Sequence, residues 1–267
     1  MTRLRPRRTT GPPPLWLLAP ALAALVLLLA PLAGLVTRAP WRDLPQRLSE
    51  PGILDALRLS LVTATVATGV CVLLGVPLAT LLARTDLPGR RLVRALVTVP
   101  LVLPPVVGGL ALLLVFGRRG PVGGWLDRAG ITLAFTPAAV VMAQTFVALP
   151  FLVLAVEGAL RGADPRYEEA AASLGAGRWT TFRRVTLPLV TPGIAAGAVL
   201  CWARALGEFG ATIVFAGNFP GVTQTMPLAV YLTLERDLEA AIVLSLVLLA
   251  VSLTVLAGLR ERWVSTP

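Results

Sequence analysis

Two charged residues four apart, Arg204 and Glu208, interrupt an otherwise apolar stretch of this 267-residue chain. On a helix that spacing puts both on one face, where they can pair. An arginine in the middle of a membrane span costs about 2.5–3.5 kcal/mol on insertion scales, so it should face protein or water. Two readings are open: Arg204 supplies positive potential along an anion route, or the two residues form a structural pair that locks their segment to its neighbours. Bond-making chemistry finds little support anywhere. The chain has no His, and all 24 of its basic residues are Arg. His-based triads, His-ligated metals and the Lys of a P-loop, Schiff base or kinase site are therefore missing. No base and nucleophile form a pair. The residues imply no enzyme, no cofactor and no metal, and whatever energy source drives the protein, it does not bind ATP by a Walker motif of its own. Cys71 and Cys201 each lie inside an apolar run and read as reduced, buried thiols rather than a disulfide or metal pair.

The elements that position these residues must sit in a membrane. The chain is 56% hydrophobic and 14% charged, against about 45–50% and 25% for a soluble domain, and its mean hydropathy is +0.79. Hydropathy predicts six spanning segments: Leu15–Val36, Leu57–Leu82, Val93–Phe116, Ala134–Glu157, Thr191–Phe215 and Ala240–Leu259. In lipid each must be helical, because an unpaired backbone group has no water to turn to. The first apolar run is longer than the 7–15 residues of a signal-peptide core, so it is expected to be a retained span. The expected organisation is an N-terminal segment 1–14, one six-helix membrane domain 15–259 and a tail 260–267.

Arginine asymmetry orients the chain. Fifteen arginines fall on the side of both termini and of the loops around Arg84–Arg94 and Arg161–Arg184, against eight in the opposite loops. The positive-inside rule then puts both termini in the cytoplasm. The net charge of +10 is explained in the same way, and no basic stripe carries the interleaved aromatics of a nucleic-acid partner. Pro100, Pro104 and Pro105, followed by Gly108 and Gly109, fall within the third segment. Prolines there remove backbone donors and need a neighbouring helix or cavity, so this segment faces protein, as a packing kink or as part of a route. Thr212, Asn218, Thr223, Gln224 and Thr225 would line an outer mouth or a re-entrant stretch, with Gly217 and Asn218 suited to a turn. Glu157 reads as an interfacial charge.

The connection 162–188 between the fourth and fifth segments is patterned. Asp164 and Pro165 form a helix N-cap with proline at the first helical position. Glu168 and Glu169 occupy the first turn, where the helix dipole favours acids. Ala170, Ala171 and Ala172 then allow close approach by another surface, and Gly175 and Gly177 end the helix. A second amphipathic stretch, Arg178 to Arg184, carries Trp179 and Phe182 on its less polar side, continuing to Val185, and Pro188 begins the return to the membrane. A helix this short has too little apolar area to fold against nothing. It is shaped for a partner to grip.

Glu169-Ala170-Ala171, three residues, Gly175, nine residues, then Val185-Thr186-Leu187-Pro188 resembles the EAA loop of the permease subunits of ATP-binding-cassette importers. Val185 replaces the isoleucine of that pattern, a loss of one methylene. Val99 to Gly108 and Arg204 to Thr212 resemble the oxyanion branch, which serves molybdate, tungstate and sulfate; Phe215 to Gly221 with Thr223 to Leu228 is most similar to its molybdate permeases. The resemblance implies an all-α, type I importer permease fold in the cell membrane, with a cytoplasmic coupling helix. It implies that Glu168, Glu169, Ala170, Ala171, Gly175, Val185, Leu187 and Pro188 couple to a separate ATPase subunit, present in two copies. It implies a second copy of this chain, an extracytoplasmic molybdate-binding protein and surrounding lipid as partners. Pro104, Pro105, Arg204, Glu208 and Thr212 are the candidates for the translocation pathway. A self-sufficient secondary transporter is the alternative of another class; Glu208 is its one candidate ion-coupling acid, and it leaves the loop pattern without a purpose.

Overall fold

A computed structural model describes residues 15–48, 51–85 and 88–264; the expected segment 1–14 lies outside the described residues. Every regular element among the described residues is helical. In chain order they are α1 (Leu18–Thr37), α2 (Leu44–Leu48), α3 (Pro51–Arg84), α4 (Arg90–Val102), α5 (Pro105–Phe116), α6 (Pro121–Arg128), α7 (Pro137–Gly162), α8 (Arg166–Ser173), α9 (Arg178–Thr181), α10 (Leu187–Leu206), α11 (Gly210–Phe215), α12 (Met226–Leu234) and α13 (Leu238–Val264). A five-residue π turn, Phe182–Thr186, joins α9 to α10.

Five stretches are long and apolar enough to cross a membrane: α1, α3, α7, the stretch ending in α10, and the first part of α13. The third predicted span departs from expectation. Instead of one rod from Val93 to Phe116, α4 and α5 are separate helices bent by 115° at Leu103–Pro104. The cause is local, since Pro105 cannot donate to a continuing helix and Pro104 excludes helical geometry from Leu103; Leu103 is accordingly extended, with ψ 129°. At 13 and 12 residues, the two are about 20 and 18 Å long, each short of the roughly 30 Å hydrocarbon thickness. Together they still carry the chain across. Arg94 on α4 meets Glu157 near the end of α7, whereas α5 leads by way of α6 to the start of α7.

The fifth predicted span also ends earlier than expected. α10 ends at Leu206, and the chain turns through Gly207-Glu208-Phe209 before α11. Glu208 therefore lies beyond the helix that carries Arg204.

α3, α7 and α10 form the centre. Ala64, Ala67, Cys71, Ala79, Leu152, Val156, Leu160, Cys201 and Ala205 build one buried core among them. Gly193 and Gly197 of α10 lie against Ala159 and Ala155 of α7, the small-residue contact by which helices approach closely in lipid. Cys71 and Cys201 are free, buried thiols, and the Cys71 thiol donates to the Thr145 carbonyl at 3.7 Å. A second core joins α5, α7 and α11 through Leu112, Ala139, Val140, Ala143, Ala211 and Phe215. A third joins α3, α12 and α13. α1, apolar on all sides, buries none of its residues, as suits a helix facing lipid.

At the end opposite the arginine-rich face, Arg47 of α2 holds Asp237 at 2.8 Å and Glu239 at 3.2 Å. The Ala240 N–H first, and then Arg47, keep the Asp237 carboxyl below its ordinary range. That contribution is present above the unfolded carboxyl's pKa and is lost as pH falls through the lowered one.

α5 crosses α11 at backbone contact. A Cβ on Gly109 would sit 2.7 Å from the Ala211 carbonyl oxygen and 2.8 Å from its Cα, and one on Gly210 would sit 3.0 Å from the Pro105 Cβ. Gly109→Ala should therefore destabilise the folded protein by about 1–3 kcal/mol through overpacking, read as a lower Tm in detergent. Gly69→Ala, with nothing within 4 Å of its Cβ, should be neutral or slightly stabilising. Equal Tm values for the two variants would refute the close crossing.

Candidate functional site

The patterned loop folds as a capped helix followed by a second, shorter turn. The Asp164 carboxylate accepts a hydrogen bond from the Arg166 N–H at 3.0 Å, and Glu168 and Glu169 occupy the first turn of α8. Gly175 adopts φ +83°, which only glycine takes without strain. Its N–H reaches the Ala172 carbonyl at 2.9 Å, and the Ala176 N–H reaches Ala171 at 3.0 Å, the double bond of a Schellman end. Gly177 behaves otherwise than expected: with φ −67° it caps the start of α9 and does not end α8.

The loop is pinned to the bundle through Glu168. Its Oε1 lies 3.0 Å from an Arg84 guanidinium nitrogen at the end of α3 and accepts the Thr186 hydroxyl at 2.9 Å. The outer surface stays open: Leu174, Trp179 and Tyr167 are 89%, 70% and 58% exposed. Trp179 stacks on Phe182 at 5.9 Å. Large apolar side chains exposed beside a charged rim mark an interaction surface.

Nearby, Glu157 corrects the reading of an interfacial charge. It is 3% exposed, and its Oε1 accepts from Arg94, in two bonds, and from Arg161 at 2.8 Å. Two arginines offset the desolvation of one carboxylate, which a buried acid needs in order to stay charged.

The second region lies where the helices break. Arg204 Nη1 is 2.6 Å from Glu208 Oε2. The other oxygen, Oε1, accepts the Ala211 N–H at 2.8 Å, so this buried carboxylate caps α11 while holding α10. That geometry is the structural pair of the two readings. Glu208 Oε2 keeps this ion-pair contact without a hydrogen bond of its own among the described residues. Among the described residues, buried polar atoms without hydrogen-bond partners include both amide atoms of Gln144 and the hydroxyls of Thr145, Thr212 and Thr225. On α7, Gln144 and Thr145 fall within the part of the core shared with α5 and α11 that ends at Val147, just before the core shared with α3 and α10 begins at Ala148; Glu208 falls between Leu206 of the latter core and Ala211 of the former. Buried polar residues therefore fall near the boundary between two apolar cores. Pro104 and Pro105 lie beside it, since Gly210 abuts Pro105.

Residues 72–266 match the family described as binding-protein-dependent transport system inner membrane component. The chain belongs to this family. It is a multi-pass component of the inner membrane and works in a binding-protein-dependent transport system. Among curated members, the molybdenum transport system permease protein of Mycobacterium tuberculosis is 50% identical over 249 residues, covering 93% of this chain and 94% of that one. The sulfate transport system permease protein CysT of Escherichia coli is 36% identical over 239 residues, covering 88% and 86%. The fold matches a chain in the crystal structure of a bacterial alginate ABC transporter in complex with its alginate pentasaccharide-bound periplasmic protein. The TM-score is 0.70 at 18% identity, covering 92% of this chain and 93% of the other. The family's fold is thus the fold seen here.

The structure brings Pro105, Glu208 and Thr212 to one region, with Arg204 at its edge, and places Glu168 to Pro188 at the arginine-rich face. Sequence reasoning missed Gln144, Arg84 and Arg94. A lone glutamine within a span was a detectable signal, because a polar amide in hydrocarbon is costly unless it is paired. The partners of the arginines depend on packing and leave no mark at short range.

Removing the Glu208 charge alone leaves Arg204 without its partner and α11 with a weakened cap. Glu208→Ala should cost about 3–5 kcal/mol, whereas the joint change Arg204→Leu with Glu208→Gln should regain most of that loss. Gln144→Leu removes unpartnered polar atoms and should leave Tm equal or higher while lowering transport. A fall in Tm with transport intact would show Gln144 to be a packing residue.

Proposed function

We propose that this chain is the permease subunit of an ATP-driven molybdate importer. Two copies form the pathway, two ATPase subunits dock on their cytoplasmic loops, and an extracytoplasmic binding protein delivers the anion. The observation that carries the coupling half of this reading is α8 itself, a helix capped at both ends, tied to α3 through Glu168 and flanked by exposed Leu174 and Trp179. Glu169, Ala170 and Ala171 present the gripped face, Gly175 ends it, and Val185, Leu187 and Pro188 lead its displacement into α10. Sequence identity of 50% to a molybdenum permease, against 36% to a sulfate permease, supports molybdate as cargo, with sulfate or tungstate as the alternative.

Transport then proceeds by alternating access. The ATPases close, the loops move together, and the bundle opens outward to receive the anion. Pro104, Pro105 and Thr212 border the route at the helix breaks, where discontinuous helices can shift without exposing backbone to lipid. Arg204 and Glu208 brace that region as a neutral pair. High affinity belongs to the binding protein, and the route itself has only to pass the anion on.

Gly175→Val forces a β-branched residue into a left-handed backbone and costs roughly 1–3 kcal/mol at the end of α8. In proteoliposomes with the ATPase and binding protein present, hydrolysis should continue while molybdate uptake falls by about tenfold. Gly177→Val, at an ordinary φ, is the control and should transport normally. Wild-type uptake by Gly175→Val, still dependent on ATP, would refute the coupling role. Uptake of sulfate in preference to molybdate with the cognate binding protein would reassign the cargo.

A further inference from the structure

Where the chain returns to the membrane, a cavity of about 330 Å³ is bordered by Tyr167 of α8, by Arg184 and Val185, and by Pro188 and Leu189 in the first turn of α10. The π turn Phe182–Thr186 shapes it: Thr186 is turned inward to Glu168, and Arg184 is left exposed. Such turns are rare and concentrate at functional sites. Arg184 makes no ion pair or side-chain hydrogen bond among the described residues. The acids of the loop are engaged elsewhere or face away. Asp164 caps α8 and Glu168 holds Arg84, while Glu169, two positions from Tyr167, falls on the opposite side of the helix. The lining therefore combines an uncompensated guanidinium and a phenol with three apolar side chains.

We infer that this cavity holds one anionic phospholipid of the cytoplasmic leaflet, with its phosphodiester on Arg184 and the root of an acyl chain against Pro188 and Leu189. A guanidinium donates to two phosphate oxygens at once, and arginines beside a membrane helix are drawn to the negative surface of that leaflet. Tyrosine is at home at headgroup level. Pro188 and Leu189 lie in the first turn of a membrane helix, so the cavity sits at that level, and its apolar wall suits a lipid better than a free anion. A lipid seated there steadies the root of α10 and leaves Leu174 and Trp179 open to a partner. The site itself needs only the cytoplasmic orientation of the arginine-rich face; its effect on coupling rests on the proposed role of α8.

In native mass spectra of the complete transporter, this chain with its ATPase, phosphatidylglycerol should be retained at one molecule per copy of the chain, about fivefold more tightly than phosphatidylcholine. Arg184→Gln should bring phosphatidylglycerol down to the phosphatidylcholine level. Arg183→Gln removes an exposed neighbour that does not border the cavity and should leave the preference intact. In nanodiscs, molybdate uptake per ATP hydrolysed should rise when phosphatidylglycerol is added to phosphatidylcholine, and should stay flat in Arg184→Gln. Equal retention of the two lipids by the wild type would overturn the site. Equal losses in the two arginine variants would do the same, by showing a diffuse basic belt. Displacement of the lipid by inorganic phosphate would overturn a phospholipid as the occupant. Its absence from the complete transporter would mean that the ATPase covers this face, and would also overturn the proposal. A wild-type uptake ratio indifferent to lipid would overturn the effect on α10 alone. Absence of ATP-driven uptake, with the lipid preference intact, would count against the importer reading and leave the site standing.

Discussion

Inside hydrocarbon a backbone N–H has no solvent partner, so every place where a helix starts in this bundle must be supplied with one. Proline meets part of the demand. α5, α6, α7, α10 and α12 each carry proline in the first turn, where its missing N–H removes a donor that would otherwise be orphaned. Buried side chains meet more of it. Glu208 accepts from Ala211 at the start of α11. Ser60 of α3, fully buried, accepts the Met226 N–H at 2.7 Å across 166 residues of sequence. The irregular stretches are therefore fixed features of the fold. The breaks in α4–α5 and α10–α11 can lie side by side because their backbone ends are held and because glycines let the chains touch.

The arginines of the opposite face do two jobs at once. Their excess orients the chain, a property of the sum of charges rather than of any position. Individually they hold two of the acids of that face. Glu157 takes Arg94 and Arg161, and Glu168 takes Arg84. α4 is tied in this way to α7, and α7 runs directly into the loop that bears α8. A displacement of that loop has a short polar path to the hinge at Leu103–Pro104, and the same acids that anchor the loop also set how easily it is released.

The apolar runs made five of the crossings legible, because a lipid-facing helix is specified by composition over some twenty residues. The loop was legible for another reason: caps and helix stops are local, and Asp164 and Gly175 act within a few residues of themselves. The breaks were only half legible. Pro104 and Pro105 marked an irregularity, yet nothing in a hydropathy window separates a kink from a bend of 115°. Glu208 was read as a helical i, i+4 partner, and the contact with Arg204 forms even though the helix has ended at Leu206. The roles of Arg84 and Arg94 were hidden because their partners, Glu168 and Glu157, lie tens of positions away.

On the pathway proposed above, the electrostatics of the buried polar groups near the helix breaks favour passage over capture. A lone Arg204 beside the route would hold a dianion firmly and slow its release. With Glu208 at 2.6 Å the pair presents little net charge, and what remains at this level is amide and hydroxyl: Gln144, Thr145, Thr212 and Thr225. Such groups donate hydrogen bonds to oxyanion oxygens one or two at a time, at roughly half the strength of charged donors. An anion moving past them would exchange water for protein donors without falling into a deep well. Selectivity built on weak contacts is poor, so a permease of this construction depends on a partner to choose the cargo. That dependence agrees with its membership of a binding-protein-dependent transport family.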